Sequence, residues 1–105
     1  RNVSVVALTK NLAMELGPHG INVTVVHPGV TRTERTAAVV ATQAEHQGIS
    51  EDEVERRMAE QNSVRKIIDA QDIAYVVAFL ASPKSIAING DLIAASGGHD
   101  DHIYY

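Results

Sequence analysis

The chain has 105 residues, 45% of them hydrophobic and 21% charged, and a formal net charge of −4. That size and composition suit a single globular domain, and an acidic balance without any basic run argues against a nucleic-acid-binding surface. Cysteine is absent, which excludes disulfides and thiolate chemistry; no apolar run nears the ~18 residues of a membrane span, and the expectation is a soluble cytoplasmic protein.

The first residue is Arg1, and it already lies inside a helical pattern. A start within a longer protein is therefore expected. Over residues 3–16, Val5, Leu8, Leu12 and Leu16 form one stripe, widened by Val6, Ala13 and Met14. Apolar residues at i, i+3, i+4 and i+7 predict a helix. Gly17 and Pro18 predict its end. So broad an apolar face fits a helix that covers its own sheet and equally one that also meets a partner subunit.

Residues 21–27 read as a strand. Val23, Val25 and Val26 break strict alternation, as they do when both faces of a parallel strand are covered. The strand ends in Pro28-Gly29 and opens into a polar loop rich in threonine. Residues 34–47 and 51–61 are helix-prone but polar, with little apolar periodicity, and predict a mobile, lid-like section. Ser50 and Glu53 fit a capping box, with Glu51 and Asp52 well placed in the first turn. A second amphipathic helix is expected over 71–81, with Ile73, Val76, Val77 and Leu80 on its apolar side and Asp69 as N-cap, or Asp72 for a later start. Ser82-Pro83 ends it. Asn89-Gly90 reads as a turn, residues 91–95 as a short strand, and Ser96-Gly97-Gly98 closes the pattern.

Taken in order, Ile21–Thr33, then Asp72-Ile73-Ala74 leading into Phe79-Leu80-Ala81-Ser82, Asn89-Gly90 and Ser96-Gly97-Gly98 resemble the C-terminal half of a short-chain dehydrogenase/reductase. The resemblance covers residues 3–98 without a break. It implies an α/β fold in which residues 1–105 are the C-terminal part of a Rossmann-like, doubly wound parallel sheet, with a helical lid at about 34–66. It implies a parent enzyme that uses NAD or NADP to move hydride to or from a carbonyl or alcohol carbon of a small-molecule substrate. In the family, the turn after the sixth strand lies against the nicotinamide. On this chain that carries over to Pro28, Gly29, Val30, Thr31 and Thr33 as cofactor-binding residues. Glycine allows close backbone approach, and a threonine hydroxyl both donates and accepts, which suits a carboxamide.

The family's Gly-rich phosphate turn, its serine and its catalytic tyrosine have no counterpart in these residues, so no catalytic residue is assigned here. Aligning Leu8-Thr9-Lys10 without a gap places Asn2 where the family has a lysine. Either the parent departs from the pattern or a gap displaces the alignment. The expectation is a chain that is inert by itself and forms a homo-oligomer, because an open strand edge and uncovered apolar faces invite association. The other reading is a non-catalytic assembly module descended from such enzymes.

Weaker signals resolve to structural readings. His99-Asp100-Asp101-His102 has the residue types of a metal site but reads as a solvated tail, and no metal ligand set is assigned. His27 reads as a packing residue at a strand end. The charges of Glu51–Glu60 read as a solvated, ion-paired helix face. Arg32 and Arg35 flank the turn and read as surface residues.

Overall fold

The computed structural model describes residues 3–98. Helix α1, Val3–Leu16, has the predicted bounds. Its inward line differs from the predicted stripe. Thr9 and Ala13 are the buried residues, Val6, Leu12 and Leu16 are half-buried, and Val3, Val5, Leu8 and Met14 are exposed. The reason lies at Gly90, where an added Cβ would stand 3.2 Å from the Ala13 Cβ. A loop approaching that closely selects the smallest side chain, and the larger ones turn aside. The buried Thr9 hydroxyl is satisfied within the helix, donating to the Val5 carbonyl at 2.8 Å. Gly17 and Pro18 tighten the chain into one 3-10 turn, Gly17–His19, and Gly20 closes it at φ 79°.

Strand β1, Val25–Pro28, begins later than predicted. Upstream of it, Val23 N donates to the Asn89 side-chain oxygen at 2.8 Å and the Val23 carbonyl accepts from Gly90 N, also at 2.8 Å. A side chain there replaces one ladder partner, so the regular strand starts two residues on. After β1 come the short strand β2, Thr31–Arg32, and helices α2, Thr36–Gln47, and α3, Glu51–Ala59. Strand β3, Ile68–Asp69, runs directly into helix α4, Ala70–Leu80, and strand β4, Leu92–Ala95, follows.

The two strand pairs are both parallel. β1 pairs with β4 in the register Val25↔Leu92 to Pro28↔Ala95. β2 pairs with β3, placing Thr31 opposite Ile68 and Arg32 opposite Asp69. Parallel pairing needs a long crossover, and α2, α3 and α4 supply it.

The polar section between residues 34 and 66 holds the best-buried apolar cluster. Val40, Ala44 and Val54 interlock between α2 and α3, with Ile49 and Met58 packed against them. Gly48, at φ 67°, and Ser50, whose hydroxyl accepts from Glu53 N at 3.1 Å, set the hairpin between the helices. Few apolar residues are required because two short helices meeting each other need only one narrow seam. The outer face of α3 carries the expected ion pairs: Glu53 with Arg56 and Arg57, and Arg56 with Glu60.

α4 starts at Asp69 with a capping box in which the Asp72 carboxylate accepts from Asp69 N. Ile73, Val76 and Leu80 are half-buried, while Tyr75, Val77 and Phe79 are exposed. The described residues measure 55 × 25 × 21 Å, with a radius of gyration of 16.8 Å, against about 13 Å for a compact unit of similar length. Among the described residues, no helix is long and apolar enough to cross a membrane.

Candidate functional site

Pro28 is the last residue of β1, and Gly29 follows at the carboxyl end of the β1–β4 pair. In open parallel sheets that end is where ligands bind. Gly29 lies so close to Ser96 that an added Cβ would stand 2.8 Å from the Ser96 Cβ and 3.1 Å from its Cα. Its backbone φ is not positive. Glycine is needed here for close approach, not for an unusual dihedral.

The next residues are bonded into a rigid corner. Thr31 Oγ1 donates to the Gly29 carbonyl at 2.9 Å. The Val30 carbonyl accepts from Ile68 N at 3.3 Å. Thr33 and Thr36 bond reciprocally: Thr33 N donates to Thr36 Oγ1 at 2.8 Å, and the Thr33 carbonyl accepts from Thr36 N at 3.1 Å. Thr33 Oγ1 also accepts from Arg35 N at 3.2 Å. Thr33 thus organises the entry to α2, a role its position in the motif did not announce. Among the described residues no acceptor for its hydroxyl proton is seen, and its side chain is exposed. A threonine that accepts from the backbone keeps a proton to donate outward.

The same corner gathers Ser96-Gly97-Gly98 and a loop that sequence reasoning did not single out, Asn62–Lys66. Ser63 N donates to the Gly98 carbonyl at 2.8 Å and Val64 N to the Gly97 carbonyl at 3.1 Å, and the Ser63 hydroxyl donates to Gly97 at 3.1 Å. Asn62 is 3% exposed. Its side chain braces the loop, donating to the Lys66 carbonyl at 2.7 Å and accepting from Lys66 N at 3.3 Å. The only cue in the sequence was a pair of small polar residues ahead of Arg65-Lys66, too common a pattern to mark a site.

Arg32 points from this corner to the hairpin and pairs with Glu55 at 2.5 Å, with both side chains about two-fifths exposed. The hydrogen bond and charge of Glu55, with a smaller contribution from Asp69, hold the guanidinium pKa above its ordinary value. His27 stands half-buried on β1 opposite Ala94. Among the described residues, no three His, Cys, Asp or Glu side chains gather as a metal site. Asn2 and the His99–His102 stretch lie outside the described residues.

Comparison with known proteins meets this geometry. The sequence profile of the family described as enoyl-(acyl carrier protein) reductase matches residues 2–100. The chain belongs to the short-chain dehydrogenase/reductase family. It is 31% identical over 97 residues to the NADPH-dependent reductase BacG of Bacillus subtilis, covering 92% of this chain and 38% of that protein. It is 34% identical over 92 residues to carbonyl reductase (NADPH) 2 of Sus scrofa, covering 88% and 34%. Among solved structures, a short-chain dehydrogenase family protein from Francisella tularensis superposes with a TM-score of 0.82 at 32% identity, over 94% of this chain and 41% of that one. The fold is thus the Rossmann-type α/β fold of these enzymes. This short-chain dehydrogenase/reductase chain spans about a third of the length of the curated relatives it matches.

Proposed function

We propose that these residues form the nicotinamide-facing and substrate-facing part of an NAD(P)-dependent oxidoreductase that transfers hydride between the cofactor and a carbonyl or alcohol carbon of a small-molecule substrate. The observation that carries this is the Gly29–Ser96 contact at the carboxyl ends of β1 and β4. It makes one rigid shelf of Pro28, Gly29, Val30, Thr31 and Thr33. On this shelf the Thr33 hydroxyl donates to the nicotinamide carboxamide, and the backbone at Val30 completes the contact. Thr31, whose proton is already given to Gly29, offers only acceptor capacity.

Both curated relatives described above are NADPH enzymes by name, which supports a nicotinamide cofactor, NAD or NADP, for the parent. When bound, that cofactor supplies the hydride chemistry. The present residues position its ring and shield it from water. The α2–α3 hairpin, within residues 34–66, is the substrate lid. Residues 1–105 are then one portion of a single Rossmann-like domain, inert without the remainder.

The exposed apolar residues of α1 and α4 support coverage by the rest of the parent chain and by a second copy, giving a homo-oligomer in the cytoplasm. A second reading, a non-catalytic assembly module, draws on α1 alone: Leu8 is 57% and Met14 79% exposed, on opposite flanks of the helix. Titrating NADH and NADPH into the intact parent protein separates the two. Under the first reading the wild type binds, Thr33→Val weakens binding about three- to tenfold, as loss of one hydrogen bond does, and Thr33→Ser restores it. Undiminished binding by Thr33→Val removes the assigned contact. No binding of either dinucleotide by the wild type leaves the assembly module.

A further inference from the structure

Asn89 and Gly90 sit where α1, the approach to β1 and the start of β4 meet. Three interactions converge on this dipeptide. The Asn89 side-chain oxygen accepts from Val23 N at 2.8 Å. Its amide nitrogen donates to the Ala13 carbonyl at 3.5 Å. Gly90 N donates to the Val23 carbonyl at 2.8 Å. Gly90 itself is buried, at φ 72°, whereas Asn89 is exposed and open to water.

We propose that Asn89–Gly90 is a deamidation site that the fold keeps closed, so that its modification reports and then makes permanent the opening of the α1–β1–β4 junction. Asparagine followed by glycine is the dipeptide most open to this reaction, because glycine has no Cβ to hinder its own amide nitrogen. In the reaction, Gly90 N loses its proton and attacks Asn89 Cγ. The bond from Cγ to Nδ2 breaks, and ammonia leaves with the proton. The resulting succinimide adds water at one of its two carbonyls, giving aspartate or isoaspartate. No oxidant or further reactant is required.

In the folded chain the attacking nitrogen and the attacked carboxamide are both engaged. Gly90 N would have to release Val23, and the Asn89 amide would have to turn away from Val23 N and Ala13. The step is therefore gated by local opening, whose free energy varies from segment to segment within a fold. The product does not close again in the same way. A carboxylate accepts but cannot donate to the Ala13 carbonyl. It also places a negative charge beside the carbonyl-rich C-terminal end of α1, where the helix dipole disfavours anions. Isoaspartate additionally routes the main chain through Cβ and Cγ, adding one methylene between the residue 89 Cα and Gly90 N. The oxygen that met Val23 N is now bonded through Cγ to Gly90 N, and the two contacts to Val23 lose their spacing.

The test uses the intact parent protein, incubated at mildly alkaline pH in native buffer and in urea. Trypsin cleaves after Lys84. Asn89 is the single side-chain amide between Ser85 and Tyr105, and fragment-ion sequencing of the peptide that begins at Ser85 places the amide-to-carboxyl mass gain at residue 89. Deamidation in native buffer is expected to be slower than in urea by roughly tenfold or more. After both pools are refolded, the deamidated protein, separated by its added charge, is expected to melt below unmodified protein taken through the same cycle. Equal rates in native buffer and urea would show that the junction does not gate the reaction. Equal melting of the two refolded pools would show that the modification is not locked in. Either result overturns the proposal.

Discussion

Gly29 and Ser96, sixty-seven positions apart in the chain, are packed so closely that no side chain fits between them. Each closes one strand of the β1–β4 pair, one residue beyond the register partners Pro28 and Ala95. The neighbouring atoms at Ser96 include backbone, which cannot swing aside. Gly29→Ala is accordingly expected to destabilise the intact protein by about 1–3 kcal/mol, the usual cost of overpacking. Urea denaturation checks this, and an unchanged midpoint would mean that the corner is softer than its contacts imply.

Gly98 tests the other side of the corner. At φ 80° a side chain is strained, and its Cβ would collide with the Ser63 hydroxyl. Ser63 can rotate away, but it then loses its bond to the Gly97 carbonyl. Gly98→Ala is expected to cost about 1–3 kcal/mol through the backbone conformation alone. In hydrogen exchange, the amides of Ser63 and Val64 are expected to lose protection before those of β1. Uniform loss would place the damage elsewhere.

The α2–α3 hairpin depends on a seam of few side chains. Val40 is 1% and Val54 2% exposed, so Val40→Ala removes two methyl groups from a closed contact. The expected loss is about 2 kcal/mol, from transfer and cavity terms together. Exchange should quicken across residues 36–59 while α4 keeps its protection. If α4 loosens equally, the hairpin is not a separate packing unit.

Arg32 ties the corner to that hairpin through Glu55. The pair is substantially exposed, and such pairs contribute about 0.2–1 kcal/mol. Arg32→Gln is expected to leave the global melting temperature nearly unchanged and to raise exchange in α3, an effect that added salt reproduces in the wild type. The charge-swapped double variant Arg32→Glu with Glu55→Arg should restore α3 protection. Failure of the swap would show that geometry rather than charge holds the contact.

Acid weakens α3 in a defined direction. Hydrogen bonds from Arg56 and Arg57 hold the Glu53 carboxyl below its ordinary pKa. A depressed folded-state pKa contributes stability that is complete above the unfolded value, about 4.3 for glutamate, and is lost as pH falls through the lower folded value. Protection of the α3 amides is therefore expected to be level near neutrality and to fall below pH ~4. Glu53→Gln should flatten that acid limb. A limb unchanged in the variant would assign it to other carboxylates.

What could be taken from the sequence alone follows from local rules. The bounds of α1, the Ser50 and Asp69 caps, and the turns at Pro28-Gly29 and Asn89-Gly90 each depend on a few adjacent residues. Those residues act through dihedral preference and hydrogen bonding within one or two turns. The ordered residues that carry the family resemblance, from Ile21 to Gly98, were legible for the same reason. Contacts between distant segments had no such local signature. The Asn89 bond to Val23 delayed β1. The Gly90 approach to Ala13 moved the inward line of α1 onto Thr9 and Ala13. The meeting of Ser63 and Val64 with Gly97 and Gly98 completed the corner, and the Val40–Val54 seam gave the polar lid a core. Each of these is a distance between residues far apart in the chain, and distance is decided by how helices and strands stack, not by the order in which residues are joined.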